Sequence, residues 1–239
     1  MRTVVVTGGG TGIGREVAAQ FASEACNVVI TGRRADVLKK AVDEIGGSVR
    51  AVTVDGTDPE QTAAVAREIG AVDVLVNNAG GNTDFDREEP RHLGDIADAW
   101  RQNLDSNLMT AVLMTTALLP AMPRGSAVIT IGSIAADKGA GSYGAAKAAV
   151  ASWNVDLARQ IGDRGITANI VSPGYIADTE FFRDKLTDER RDSLVEAAMT
   201  NRAGTPADIA ATVRFLASPG ARQITGQTIA VNGGEWTTR

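Results

Sequence analysis

The chain is poor in the side chains that most often hold transition metals. Its 239 residues include one cysteine and one histidine. Cys26 has no second cysteine to pair with inside the chain, which suits a reducing compartment. His92 lies in a polar stretch and has no partner histidine or cysteine for a metal site, so it reads as a surface residue. No metal is expected. Positive charge is also scarce. The net charge of −5 leaves no broad basic footprint for nucleic acid. No stretch reaches the roughly 20 apolar residues that a membrane helix needs. The chain opens directly on Thr3-Val4-Val5-Val6 without a long apolar leader, so a cytoplasmic protein is expected. Nor do Gly, Pro and Ser cluster into a linker or residues recur at a repeat period, and one domain spanning 1–239 is the expectation.

Apolar residues are abundant, at 44% of the chain. They fall into short runs rich in Val and Ile. Val4–Val6, Val28–Ile30, Val49–Val54, Val74–Val76, Ala127–Ile131, Ile166–Val171 and Thr228–Val231 read as strands. These runs are mostly apolar on both faces, the mark of parallel strands covered above and below. Helical patterns lie between them, at Ile13–Ser23, Ala35–Ile45, Pro59–Ile69, Asp95–Leu119, Ser142–Asp163 and Pro206–Leu216. Asp58-Pro59 and Thr205-Pro206 each pair an N-cap with proline at the first helical position. The fold class is therefore α/β, a Rossmann-type doubly wound parallel sheet of about seven strands with helices on both faces. The charged helical stretch Asp178–Met199 falls outside this rhythm. It reads either as part of a substrate-facing lid over about 175–200 or as a solvated surface helix.

The first strand runs into Thr7-Gly8-Gly9-Gly10-Thr11-Gly12-Ile13-Gly14, and a helix follows at once. Glycines allow a tight turn and close approach of a pyrophosphate to free N–H groups at the helix start. A Walker A loop is excluded, because Arg15 and Glu16 stand where Lys and Ser/Thr are required. The G-x-G-x-x-G fingerprint fits no register. A methyltransferase-type turn over Gly10, Gly12 and Gly14 stays open, as does a turn without ligand. The second strand ends in Thr31-Gly32-Arg33-Arg34. It lacks the acid that would bond a ribose 2′-OH, and that absence weakens the methyltransferase reading too. Arg33 and Arg34, with Arg15 nearby, suit a 2′-phosphate. The reading favours NADP(H), with NAD(H) as the alternative.

Ser133 and the run Tyr143-Gly144-Ala145-Ala146-Lys147 occupy the second half. Tyr143 and Lys147 are four apart on an expected helix and share a face. Free Tyr and Lys titrate near ~10 and ~10.4, and a neighbouring ammonium favours the phenolate. The pair thus offers a proton donor or acceptor. The spacing alone is common on surface helices.

The glycine turn, Asn77-Asn78-Ala79-Gly80, Asn107, Ser133, Tyr143, Lys147 and Pro173-Gly174 together resemble the short-chain dehydrogenase/reductase family. So does the end of the chain, Ile224-Thr225-Gly226-Gln227 through Asn232-Gly233-Gly234. The resemblance covers residues 3 to about 234. It implies that Tyr143 acts as the acid in reduction and the base in oxidation. Lys147 would lower the pKa of Tyr143 and bond the nicotinamide ribose. Ser133 would orient the substrate oxygen, and Asn107 would hold a relay water. The cofactor would rest on Gly8, Thr11, Gly12, Ile13 and Gly14. Asn78, Ala79 and Gly80 would line its adenosine side and Asp55 its adenine edge. Past Pro173 and Gly174, Ile176 and Thr179 would meet the carboxamide. The resemblance also implies a homotetramer or homodimer built on helices 95–119 and 142–163 and on the last strand. Trp153 and Trp236 read as packing or subunit-contact residues.

Three departures from the family pattern stand out. Ser133 and Tyr143 are only ten apart, which trims one wall of the pocket. Thr179 lies five residues after Gly174, and Gly56 follows Asp55 where an apolar residue is usual. The substrate expected is a small or medium ketone or secondary alcohol. Relatives include 3-oxoacyl-carrier-protein reductases, polyketide ketoreductases, and sugar and steroid dehydrogenases. Arg124 stands alone before the fifth strand. Arg183, Lys185, Arg190 and Arg191 are mixed with Asp184, Asp188 and Glu189, so no basic carrier-protein patch is visible. Tyr175, Phe181 and Phe182 suit either an apolar pocket wall or packing under the lid. A non-catalytic dinucleotide-binding regulator is the reading from another class.

Overall fold

The computed structural model describes residues 1–182 and 185–237, so Arg183 and Asp184 lie outside the described residues. Seven strands form one parallel sheet: β1 (Thr3–Thr7), β2 (Asn27–Gly32), β3 (Val49–Thr53), β4 (Val74–Asn77), β5 (Ala127–Ile131), β6 (Thr167–Pro173) and β7 (Thr228–Val231). Their order is β3-β2-β1-β4-β5-β6-β7. Successive side chains point to opposite faces, so each inner strand feeds two cores. Val4 and Val6 enter one core, with α1 (Gly12–Ser23), α2 (Ala35–Ile45) and α9 (Pro206–Leu216) above them. Val5 enters the other, which is covered by α3 (Pro59–Ile69), α5 (Thr110–Leu118) and α7 (Gly141–Ile161). All three valines are fully buried, which explains the unbroken apolar run. Trp153 packs against the second core from its edge.

The order reverses between β1 and β4. In such sheets the ligand crevice opens beyond the carboxyl ends of the strands at that point. Thr7 straps the two ends together. Its hydroxyl accepts from Asn78 N and Ala79 N, each at 3.0 Å.

Most expected boundaries hold within a residue or two, as do both proline N-termini. Asp58 accepts from Glu60 N and Gln61 N, and Thr205 accepts from Asp208 N. Three expectations change. The helix read over 95–119 consists of α4 (Leu93–Leu104) and α5 joined by a π-turn, Asp105–Met109. The π-turn lets Thr110 N reach back five residues to Asp105 O. The loop after Ser133 contains a one-turn helix, α6 (Ala135–Lys138). The stretch 178–199 is not one helix. Asp178 takes a left-handed φ of 57°, which stops helical continuation. A short 3₁₀ turn, Glu180–Phe182, follows, and α8 spans only Asp188–Ala197. His92 is exposed at the start of α4. No described helix is long and apolar enough to cross a membrane.

Candidate active site

Ser133, Tyr143 and Lys147 converge where β5 ends and α7 begins. Gly132 and Gly144 make that approach possible. A Cβ on Gly132 would stand 2.6 Å from the Ile170 side chain, and one on Gly144 would stand 2.6 Å from Ala135 O. Gly144 therefore lets α6 lie directly on α7. The ten-residue spacing closes without displacing Ser133 from Tyr143, and the two hydroxyl groups are hydrogen-bonded. Lys147 is buried, with Nζ 5.9 Å from the Tyr143 ring centre. It donates to Ile131 O at 2.9 Å.

Burial dominates the titration of both groups. It pushes the Tyr143 phenol up to about 12, while the Ser133 hydrogen bond pulls the other way. It brings Lys147 down to about 8. The expected lowering of Tyr143 by the ammonium is thus corrected in this state, because removing the phenolate from water outweighs it. The arrangement is a proton donor kept neutral beside a cation that is easily neutralised.

Asn107 sits at the centre of the π-turn, 2% exposed. Its amide clamps Gly81, donating to Gly81 O at 3.0 Å and accepting from Gly81 N at 3.1 Å. It also donates to Asn103 O at 2.9 Å. It donates to Ser106 Oγ as well, at 3.1 Å, so the side-chain amide is taken up within the fold.

A second polar cluster lies beside it, and sequence reading missed it. Asn103 donates to Asp84 Oδ1 at 3.0 Å and to Ser142 Oγ at 2.8 Å. Ser142 in turn donates to Asp84 Oδ2 at 2.8 Å. Only the adjacency of Ser142 to Tyr143 hinted at it.

The glycine turn bends over an open helix start. Thr11 is extended and offers α1 no side-chain cap, and the first turn holds no acid. The first N–H groups of such a helix seek an acceptor. Gly8 and Gly12 take φ values of +64° and +51°. A Cβ on Gly14 would stand 2.3 Å from Gly8 O and 2.4 Å from Asn78 Nδ2. Asn78 holds the turn by donating to Thr7 O and Gly8 O. Gly80 faces Asn107, and a Cβ there would lie 2.6 Å from Asn107 Oδ1. This bare backbone at the sheet's reversal point fits a dinucleotide pyrophosphate.

The three arginines separate. Arg15 turns away to Glu44, at 2.6 Å, which corrects its place in a basic pocket. Arg34 pairs with Glu180 across the cleft at 3.0 Å. Arg33 is exposed at the end of β2, where its charge acts on Asp55. Asp55 Oδ1 accepts from Thr57 N and Thr57 Oγ1, and these bonds lower its pKa.

Where the nicotinamide side is expected, Pro173 O accepts from Ile134 N. Gly174 abuts Asn232 and Glu235. Thr179 lies over Gly12, within 3.4 Å of where its Cβ would be. The Ile176 side chain enters the core against Gly204, which leaves its backbone for any ligand contact. Among the described residues no group of three or more His, Cys, Asp or Glu is placed to hold a metal.

A family model described as enoyl-(acyl carrier protein) reductase matches residues 8–235. The chain belongs to the short-chain dehydrogenase/reductase family. It is 34% identical to a 3-oxoacyl-(acyl-carrier-protein) reductase of Salmonella typhimurium, over 98% of this chain and 96% of that one. It is 32% identical to a 7alpha-hydroxysteroid dehydrogenase of Escherichia coli, over 98% and 93%. A blue fluorescent protein from a metagenomic library, solved in complex with NADPH, superposes with a TM-score of 0.85 at 33% identity, over 99% and 98%. Members of this family act on CH–OH and C=O groups with NAD(P)(H), and this chain is an oxidoreductase of that kind.

The glycine cradle carries a direct expectation. Gly14→Ala drives a methyl group into the Gly8 carbonyl and abolishes dinucleotide binding in a fluorescence titration. Gly94→Ala has open space around its Cβ and leaves that binding unchanged.

Proposed function

We propose that the protein is an NADPH-dependent ketone reductase. The observation that carries this reading is the buried Ser133–Tyr143 hydrogen bond with the Lys147 ammonium beside it. The glycine turn, Asn78, Ala79 and Gly80 hold the dinucleotide, and Asp55 borders its adenine. Thr179 and the backbone of Pro173, Gly174 and Ile176 close the nicotinamide end. When bound, the reduced dinucleotide supplies a hydride. Ser133 orients the ketone oxygen, and Tyr143 Oη gives that oxygen its proton. A phenol held up at about 12 by burial stays protonated across the neutral range, which suits a donor. The Lys147 ammonium stabilises the phenolate left behind. Asn107 shapes the floor through Gly81. Arg33 takes the 2′-phosphate of NADP(H), and Arg34 joins it only by giving up Glu180. The NADPH complex of the metagenomic relative supports the same cofactor.

Consumption of NADPH against a broad carbonyl panel tests the reading. Tyr143→Phe abolishes reduction while NADPH binding stays nearly intact; unchanged turnover excludes the mechanism. Lys147 loses its charge as pH rises through about 8. The reduction rate is therefore level below that pH and falls above it, as a kcat–pH profile records.

Arg33→Ala weakens NADPH binding by about tenfold, the loss of one charge-assisted contact, and leaves NADH binding unchanged. Tighter binding of NADH by the unaltered protein would overturn the NADP assignment.

We further infer a cytoplasmic homotetramer or homodimer. Leu93, Ile96 and Trp100 form an exposed apolar stripe on α4, with Leu93 84% exposed. Sedimentation equilibrium gives a multiple of the 24.8 kDa chain mass, and a monomer contradicts this.

A further inference from the structure

Aromatic residues are scarce in this chain, at three Trp, two Tyr and five Phe. Half of them meet at one place. Phe85, Phe181, Phe182, Tyr175 and Tyr143 form a connected group of rings. Phe181 contacts Tyr143 with centroids 5.6 Å apart and Phe85 at 5.6 Å. Phe182 contacts Phe181 at 5.0 Å, Phe85 at 5.7 Å and Tyr175 at 5.9 Å.

This group is not an ordinary packing core. Phe85, Phe181, Phe182 and Tyr175 are all only partly buried, whereas Phe21 in the sheet core is 1% exposed. The two sides are also held differently. Phe85 rides on a 3₁₀ turn, Thr83–Asp86. That turn is fixed by the Asp84–Asn103–Ser142 bonds beneath it. Phe181 and Phe182 ride on the Glu180–Phe182 turn. Polar ties of this turn at the surface include Arg34 with Glu180, more than half exposed on both sides, and Lys185 with the Phe85 carbonyl. Exposed pairs of this kind are weak. Among these ties, the Phe85 side rests on buried or partly buried bonds and the Phe181 side on exposed ones.

The chemistry between the walls is apolar. Two described cations are tied to these turns, and both are engaged: Arg34 on Glu180 and Lys185 on the Phe85 carbonyl. To reach either of these cations, a carboxylate or the phosphates of a coenzyme thioester would have to displace its contact. A flat apolar ring needs no such exchange. It stacks beside Tyr143 and makes edge and face contacts with Phe85 and Phe181.

We infer that the substrate is an aryl or ring-fused ketone, gripped between Phe85 and Phe181 with its carbonyl on Ser133 and Tyr143. This rests on the ketone-reductase reading. The balance is that of any ketone reduction. The carbonyl carbon gains a hydride from the reduced dinucleotide, the C=O π pair moves to oxygen, and that oxygen takes the Tyr143 proton. The products are the secondary alcohol and the oxidised dinucleotide.

The NADPH-loaded protein is assayed with three probes: 1-tetralone, an acetoacetyl thioester of N-acetylcysteamine, and pyruvate. The expected kcat/KM is highest for 1-tetralone. Phe181→Ala and Phe85→Leu each raise its KM by about three- to tenfold, the worth of an aromatic contact, and change the thioester KM less than twofold. Phe181→Tyr keeps a ring and restores the KM. A second readout needs no turnover. In Tyr143→Phe loaded with NADPH, saturation-transfer NMR shows magnetisation reaching the aromatic protons of 1-tetralone, and the additional Phe181→Ala change removes it. Preference for the thioester or for pyruvate, or a 1-tetralone KM indifferent to both ring substitutions, overturns the inference and leaves the reductase intact. Saturation of 1-tetralone without reduction of any carbonyl overturns the reductase and leaves the ring-binding site standing. The absence of both overturns both.

Discussion

A lysine ammonium buried on a backbone carbonyl sets the terms for the rest of the site. Lys147 can donate to Ile131 O only because β5 ends under α7. A buried cation without a partner is costly, so this contact constrains helix and strand together. The same dryness raises Tyr143 and lowers Lys147, which makes one a neutral donor and the other a cation near its titration point. Gly132 and Gly144 are consequences of the contact, since a methyl group at either would push strand or helix away.

Much of this was legible in the sequence, for reasons that differ by residue. The strands were readable because burial on both faces demands unbroken Val and Ile runs. The glycine turn was readable because close approach excludes side chains. Tyr143 and Lys147 were recognisable once Ser133, Asn107 and the glycine turn joined them. The titration direction of Tyr143 was not, because a four-residue spacing reveals a neighbouring charge and says nothing about lost solvent. The π-turn was equally hidden. Asn103 and Asn107 are four apart, as on any α-helix, and only the five-residue reach of Thr110 N distinguishes the turn.

The arginines show a different limit. Arg15, Arg33 and Arg34 look equivalent beside the glycine turn. Glu44 removes one and Glu180 engages another from 146 residues away. Carboxylates that arrive through the fold sort cations that sequence alone groups together. The same exposed Arg34–Glu180 pair joins the end of β2 to the turn that carries Phe181, through a contact that solvent competes for.

The Asp84 cluster makes a stronger coupling at the opposite wall. Asp84 precedes Phe85, and Ser142 precedes Tyr143. The bonds among Asp84, Asn103 and Ser142 therefore join the Phe85 side to the proton donor as one body. Asn107, bonded to Asn103 O and to Gly81, extends that body to the floor of the cleft. Buried polar networks of this kind hold position well when every member is satisfied. The bonds that hold Phe85 beside Tyr143 therefore do not pass through the turn that carries Phe181 and Phe182.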